Sequence, residues 1–385
     1  MKKKILFCIT ARASYSRIKN AILALKKKKG MEAIVLASGS ALLDNYGRVV
    51  ELIKKDGIQV VEELYTSFEG DASIGMALTT ASTIEASARS FTRISPDLVV
   101  TIADRYETLG TSIAASYCGF PLAHIQGGEV TGNIDERVRH ANTKLSDIHL
   151  VSNSDSKSRV IKMGEKKSSI FITGCPSLDI VREEKKNLDI QQLEDCINYN
   201  GVGEKFKISE PFIVVLQHSE TESYEYSFNR MMMTLKVIDR IKIRPLIFWP
   251  NIDAGSNAIS KAIRVMREKG ALKSARFIKN IESRMFVKLL SLSRCLIGNS
   301  SAAIRECSFM GVPAVNIGRR QEGRLCAKNV MHVGWNSNQI FNSINKQLQN
   351  GHYKSSKIYG DGFAGKKIAE VLSKSHSFKN KRFVD

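Results

Sequence analysis

Residues Leu98–His140 read LVVTIADRYETLGTSIAASYCGFPLAHIQGGEVTGNIDERVRH, and this stretch decides the fold. Leu98–Ile102 and Pro121–Ile125 are short, apolar and β-branched, the pattern of strands buried on both faces, and Tyr106–Tyr117 between them reads as a helix. A strand, a helix and a second strand in this order form a right-handed βαβ unit of a parallel sheet. Asp104 and Arg105 then lie just past the carboxyl end of one strand, and Gln126-Gly127-Gly128-Glu129 past the next. Parallel sheets place their ligand sites at such ends. Asp135, Glu136, Arg139 and His140 follow on the next predicted helix. Carboxylates, an arginine and a histidine beside a glycine pair suit acid–base chemistry on an anionic ligand.

The same rhythm extends in both directions. Predicted strands Ile5–Ile9, Ala33–Ala37, Ile148–Val151 and Ile170–Ile172 alternate with helices Ser16–Lys28, Leu42–Lys55, Ile74–Ile94, Glu136–Leu145 and Asp155–Met163. A polar interval from about residue 184 to 210 reads as a linker or short bridging helix. The pattern restarts with strands Phe212–Leu216, Pro245–Trp249, Arg276–Ile278, Cys295–Ile297 and Ala314–Ile317. The helices there are Glu222–Ile241, Asn257–Lys269, Glu282–Leu292, Ala302–Met310, Ser337–Gln349 and Gly365–Ser373. The expected fold class is α/β: two Rossmann-like, doubly wound domains with an active-site cleft between them. The expected boundaries are 1–183 for the first domain, 184–210 for the linker, 211–362 for the second domain, and 363–385 for a closing helix and a basic tail expected to be disordered.

Composition agrees with a globular protein: 385 residues, 43% hydrophobic and 25% charged, too many for one ordinary core. No run approaches the ~18 apolar residues of a membrane span, and the opening Met1-Lys2-Lys3-Lys4 runs into a strand rather than a signal peptide. Seven cysteines without CxxC or Cys/His spacing read as reduced thiols of a cytoplasmic protein, with no structural zinc. The net charge of +20 comes largely from dispersed lysines without aromatic interleaving, so neither nucleic acid nor a membrane is an expected partner.

Neither half carries GxGxxG after its first strand, and GxxxxGK[ST] is absent, so phosphate must be held otherwise. Ile297-Gly298-Asn299-Ser300-Ser301, a strand end entering a helix, supplies a close backbone approach, hydroxyls and free helix-start amides. Glu306, one turn on, could take a ribose hydroxyl pair. Arg12, Ser14 and Ser16 follow the first strand, His218 follows Phe212–Leu216, Asn251 and Asp253 follow Pro245–Trp249, and Arg319 and Arg320 follow Ala314–Ile317.

These residues resemble those of the hydrolysing UDP-N-acetylglucosamine 2-epimerases. The likeness runs from Arg12 to about Gly362 through ADRYE (Ala103–Glu107), HIQGGEVTGNIDERVRHANTKL (His124–Leu145), GCPSLD (Gly174–Asp179), PNIDAGS (Pro250–Ser256), VMREKG (Val265–Gly270), IGNSSAAIRE (Ile297–Glu306), NIGRRQEGR (Asn316–Arg324) and SKIYGDG (Ser356–Gly362). The resemblance implies a GT-B-like fold, a UDP-linked amino sugar as substrate, no cofactor or metal, and a homodimer or homotetramer. It also implies a two-stage reaction in nonulosonic acid synthesis. UDP leaves with loss of the C2 proton, giving a glycal, and water then adds at C1 as C2 is reprotonated on the opposite face.

The resemblance places acid–base positions on Asp104, Gln126 and Asp135, but many relatives carry glutamate where Gln126 stands. An amide cannot serve as a base. Glu129 or Glu136 then takes that task, or Asp104 and Asp135 run the chemistry alone, or the site is impaired. Ala103 and Ser14 depart from the usual glycine and acid. For substrate binding the resemblance implies Arg12, Ser16, Arg105, His218, Asn251, Asp253, Ser300, Ser301, Glu306 and Arg320, and the reading of the strand ends and the helix that follows adds Gln126, Arg139, His140 and Asn299. Arg264 and Arg267 lie where an animal relative has regulatory arginines, but a longer preceding segment keeps that role from being assigned here. Departures at Gln126, Ala103 and Ser14 are compatible with a 2,4-diacetamido-2,4,6-trideoxy sugar on UDP or GDP, and a nucleotide-sugar-binding module without turnover is the remaining alternative.

Overall fold

The protein is described by a computed structural model covering residues 2–68, 73–184, 189–250, 254–374 and 381–384. It divides into two compact units. The first comprises Met1–Glu129, Ile134–Asp179 and Tyr359–Asp385, and the second Val130–Asn133 and Ile180–Ile358.

The first unit holds a parallel sheet of β1 (Lys3–Ile9), β2 (Met31–Ser38), β3 (Gln59–Leu64), β4 (Leu98–Ile102), β5 (Leu122–Ile125), β6 (Ile148–Val151) and β7 (Ile170–Ile172) in the order β3-β2-β1-β4-β5-β6-β7. Its helices are α1 (Arg12–Lys26), α2 (Val49–Lys55), α3 (Ser73–Ile94), α4 (Tyr106–Tyr117), α5 (Asp135–Leu145) and α6 (Ser154–Lys162), with α7 (Ser177–Glu184) crossing the boundary between units. Every residue of β4, β5 and β6 is buried, as strands covered by helices on both faces must be. Each fully buried Leu, Ile or Val side chain stabilises by roughly 1.5–3 kcal/mol relative to exposure. Strand order reverses between β1 and β4, so the ends of those two strands flank the crevice in which open α/β sheets bind ligands.

The second unit has α8 (Ile190–Asn200), β8 (Gly201–Gly203), β9 (Phe212–Leu216), α9 (Ser227–Asp239), β10 (Arg244–Phe248), α10 (Ser256–Glu268), β11 (Arg276–Ile278), α11 (Ser283–Leu292), β12 (Leu296–Gly298), α12 (Glu306–Met310), β13 (Ala314–Ile317), β14 (Val330–Val333) and α13 (Ser337–Asn350). Its sheet runs β14-β13-β12-β9-β10-β11-β8, parallel except for β8 on β11. Here the order reverses between β9 and β12. Helix α14 (Ala364–Lys374) returns to the first unit, where the Asp179 carboxylate accepts from the Ala364 and Gly365 amides at 2.8 and 2.7 Å and caps it.

Several expectations need correcting. The interval expected over about 184–210 as a linker or short bridging helix holds the helix α8, but it is built into the second unit and does not simply bridge. Leu193 and Ile197, one helical turn apart, bury in α8, and β8 joins the second sheet. The helix expected over Leu42–Lys55 is two 3-10 turns followed by α2, because Gly47 and Arg48 both take left-handed backbone, φ 81° and 32°. Ala302–Met310 is likewise a 3-10 turn, Ser301–Ala303, followed by the short α12. Strands β3 and β14 and helix α7 went unread.

Candidate functional site

In the first unit, two strands end in the same unusual way. Ala103 after β4 and Gln126 after β5 have φ 65° and 67°, a conformation that costs a non-glycine residue about 1–2 kcal/mol. Hydrogen bonds hold Ala103 in place. The Ala103 carbonyl accepts from His124 Nε2 at 2.8 Å, and His124 Nδ1 lies 3.1 Å from the Thr143 hydroxyl of α5. Burial lowers His124 to about 4 despite the Ala103 bond, so the ring is neutral. Behind Gln126, a Cβ at Gly127 would press on Thr143 Oγ1 at 2.8 Å, and one at Gly128 would strike the Ser156 carbonyl. The glycine pair therefore lets the loop after β5 lie flat on α5 and α6.

One arginine of α5 then ties the loops after β4 and β5 to that helix. Arg139, with a side chain only 1% exposed, pairs through Nη2 with Asp104 and donates from Nη1 to the Glu129 carbonyl at 2.9 Å. The Glu129 carboxylate is buried and accepts from the Ser152 hydroxyl at 2.7 Å. Asp135 precedes Arg139 by four residues, hence on the same face of α5, and with Glu136 occupies the helix's positive first turn. Glu136 Oε1 lies 3.9 Å from His140 Nε2. Burial lowers the His140 pKa, and Arg139 and Arg159 push it further down against Glu136. His140 Nδ1 is buried without a hydrogen-bond partner among the described residues, a neutral ring nitrogen whose hydrogen-bonding capacity they leave unmet. Arg105 forks onto the buried Glu107 with two bonds of 3.0 Å. Ser16 donates to the Arg12 carbonyl at 2.9 Å within α1.

Gln126 is held at both ends of its amide. Arg17 of α1 donates to Oε1 at 3.3 Å, and Nε2 donates to Cys175 Sγ at 3.0 Å, which lies 3.1 Å from Ser177 Oγ. A glutamate could accept from Arg17 but could not donate to the sulfur. Sequence reading missed Arg17, Ser152 and Cys175 as site residues. The only signal for Arg17 was its place one turn beyond Arg12.

In the second unit, Asn299 is buried and its side chain brackets the backbone of His218, accepting from the amide at 2.7 Å and donating to the carbonyl at 2.9 Å. Its own carbonyl accepts from Gln321 Nε2 at 2.9 Å. The ends of β9 and β12 and the loop after β13 are thereby tied together at the switch point. A Cβ at Gly298, φ 132°, would strike the Leu216 carbonyl. Asn299, expected to touch substrate, has its side chain committed to positioning His218. Ser300 Oγ caps the following turn by accepting from the Ala302 amide at 3.3 Å, which closes a tight 3-10 turn instead of starting the expected helix. Ser301 and Arg320 lie half-buried in this neighbourhood. Glu306 Oε2 is buried without a partner among the described residues. Glu220, unread from sequence, joins the segments after β9 and β13 by accepting from the Arg319 amide at 2.6 Å and from Arg230 at 2.9 Å. Asn251 and Asp253 lie outside the described residues.

The first unit thus places Asp104, Glu129, Asp135, Glu136, Arg139 and His140 on the loops after β4 and β5 and on α5, and the second places His218, Asn299 and Ser300 at the ends of β9 and β12. The described residues contain no helix long and apolar enough to cross a membrane. Residues 23–373 match the profile of a family described as UDP-N-acetylglucosamine 2-epimerase. A Neisseria meningitidis serogroup B protein named UDP-N-acetylglucosamine 2-epimerase is 27% identical, the match covering 99% of both chains. A Legionella pneumophila protein named UDP-N,N'-diacetylbacillosamine 2-epimerase (hydrolyzing) is 28% identical over 97% of this chain and 96% of its own. In fold, the crystal structure of the Neisseria meningitidis UDP-GlcNAc 2-epimerase bound to UDP-GlcNAc superposes with a TM-score of 0.80 at 19% identity, covering 97% of this chain and all of that one.

Proposed function

This chain belongs to the UDP-N-acetylglucosamine 2-epimerase family, and from that premise we propose that it is the hydrolysing kind, converting UDP-N-acetylglucosamine and water to N-acetylmannosamine and UDP. The observation that carries the proposal is that Arg139 holds the Asp104 carboxylate and the Glu129 backbone carbonyl, with Asp135 one turn before it on α5. In the first stage a carboxylate takes the C2 proton, the C1–O bond breaks with its electron pair leaving on UDP, and a C1–C2 double bond forms. In the second, water adds to C1, losing a proton, and C2 is protonated from the opposite face. That sequence needs a base, an acid and a group directing water. Asp104, oriented by Arg139, and Asp135 are assigned the two proton transfers. Glu129, fixed by Ser152, and Glu136 with neutral His140 are assigned the water. Gln126 acts as a hydrogen-bonding group, which leaves base duty to those carboxylates.

Nucleotide binding is assigned to Arg12, Ser16 and Arg105 of the first unit and to His218, Ser300, Ser301, Glu306 and Arg320 of the second. The buried Glu306 oxygen, without a partner among the described residues, supports a hydroxyl donor such as ribose. This work belongs to nonulosonic acid synthesis. A second reading, the same reaction on a UDP- or GDP-linked 2,4-diacetamido-2,4,6-trideoxy sugar, is favoured by the Legionella relative.

The test is incubation of UDP-N-acetylglucosamine and the two diacetamido nucleotides with the protein in heavy water, followed by NMR. One free sugar per UDP released, with deuterium at C2 and the manno configuration, is expected. Epimerised nucleotide sugar without free sugar would make the protein non-hydrolysing. Unchanged nucleotide with measurable UDP binding would make it a binder.

A further inference from the structure

The geometry points to Lys381 as a positioning residue that pins the far end of the helix carrying Asp135, Glu136 and Arg139. The inference rests on the proposed function, because only that reading makes α5 the catalytic helix. The last turn of any helix leaves carbonyls without intrahelical donors and a partial negative charge. At the end of α5, Lys381 Nζ supplies both needs: it donates to the carbonyls of Lys144 and Ser146 at 2.6 Å each and of Thr143 at 3.3 Å.

The ammonium is itself fixed. It lies 2.9 Å from Glu165 Oε2, and the Glu165 side chain, 3% exposed, also receives Lys144 at 2.7 Å and His149 Nε2 at 3.0 Å. Val384 donates its amide to the Gly164 carbonyl at 3.0 Å, and the Phe383 ring lies against Gly164, where any Cβ would collide with it. Lys144 Nζ lies 5.2 Å from the centre of that ring. Residues 381–384, expected from sequence to be disordered, are therefore docked by charge, backbone and ring contacts.

An eleven-residue helix is about 16 Å long and stiff, so a clamp at its end constrains its beginning. Thr143, whose carbonyl Lys381 holds, also donates to the Arg139 carbonyl at 3.0 Å, and Arg139 holds Asp104. The path from Lys381 to the reacting groups is one helix, with Glu165, His149, Lys144 and Asp147 as the charged or titratable groups around its anchor.

The experiment compares full-length Lys381→Met, Lys381→Arg and Glu165→Gln with the parent protein, by steady-state kinetics and by hydrogen exchange at the α5 amides. In Lys381→Met, kcat should fall roughly ten- to a hundredfold, the scale of a small misplacement of reacting groups, with KM within about twofold. Lys381→Arg, which keeps donors and charge, should restore most of kcat. Amides of the last turn of α5 should exchange at least about tenfold faster in Lys381→Met and Glu165→Gln. Should Lys381→Met not fold, Glu165→Gln carries the same two readouts. Unchanged exchange, unchanged kcat, or no rescue by arginine overturns the inference. Exchange is readable without turnover, so an inactive parent whose α5 still loosens in Lys381→Met would sink the proposed function and not the clamp.

Discussion

Arg139 of α5 reaches across to Asp104 at the end of β4 and holds its carboxylate while its other terminal nitrogen holds the Glu129 carbonyl. Residues 35 positions apart in the chain thus share one guanidinium. The pair is asymmetric, since Arg139 is 1% exposed and Asp104 17%. Asp104 keeps a face open to a ligand, and Arg139 serves as its buried mount.

Asp104→Asn should abolish turnover, lowering kcat by about 10²–10⁴-fold, while UDP affinity measured by calorimetry changes little. The amide oxygen can still accept from Arg139, so folding should survive. Retention of most activity would remove Asp104 from the chemistry.

Gln126→Glu should not raise kcat. The substitution removes the donor to Cys175 and sets a carboxylate oxygen against the sulfur, which should destabilise by about 1–3 kcal/mol in urea unfolding. A tenfold gain in kcat would show instead that a base at this position was missing.

Asn299→Ala should loosen the His218 segment and weaken UDP binding, with a stability loss of about 1–3 kcal/mol for the buried backbone groups left unpaired. Asn299→Asp, which keeps the acceptor and loses the donor, should fall between. Equal UDP affinity in all three proteins would separate His218 from nucleotide binding.

Stability should fall on mild acidification because of His124. Its folded value, about 4, lies below its ordinary 6.5, so the fold prefers the neutral ring. That contribution is complete above 6.5 and is lost as pH falls toward 4, amounting to about 3 kcal/mol. Glu165 adds a second, lower window. Burial raises it, but bonds from His149, Lys144 and Lys381 outweigh burial and hold it at about 2, against 4.5. Its contribution is lost as pH falls from 4.5 to 2. Urea unfolding of the parent protein and His124→Asn across pH 4–7 should show a smaller loss in the variant, where burial of His149, His140 and His332 still favours their neutral rings.

The positions of many candidate site residues were legible because strands such as Leu98–Ile102 and Phe212–Leu216 announce themselves by apolar runs, and parallel sheets put ligand residues at strand ends. Asp104, Glu129, Asp135, His218 and Ser300 followed from that rule. Arg17 lies inside α1, and Ser152, Cys175 and Glu220, although they follow β6, β7 and β9, were not singled out because their partners are remote in sequence: Gln126 for Arg17 and Cys175, Glu129 for Ser152, Arg319 for Glu220. Strand β3 hid for a different reason. Gln59–Leu64 is an edge strand with charged Glu62 and Glu63, so it lacks the run by which inner strands are known.

The amino-acid order by itself determined the alternation of strands and helices, the two sheets and the chemical character of the groups at their ends, because apolar periodicity and strand-end polarity are local properties. The tertiary structure decided which of those groups are tied up in holding others in place. Asn299 was turned from a presumed ligand contact into a clamp on His218, and Lys381 from a loose tail into the anchor of α5. Hydrogen-bond partnership depends on distances between remote segments, and no local pattern records these.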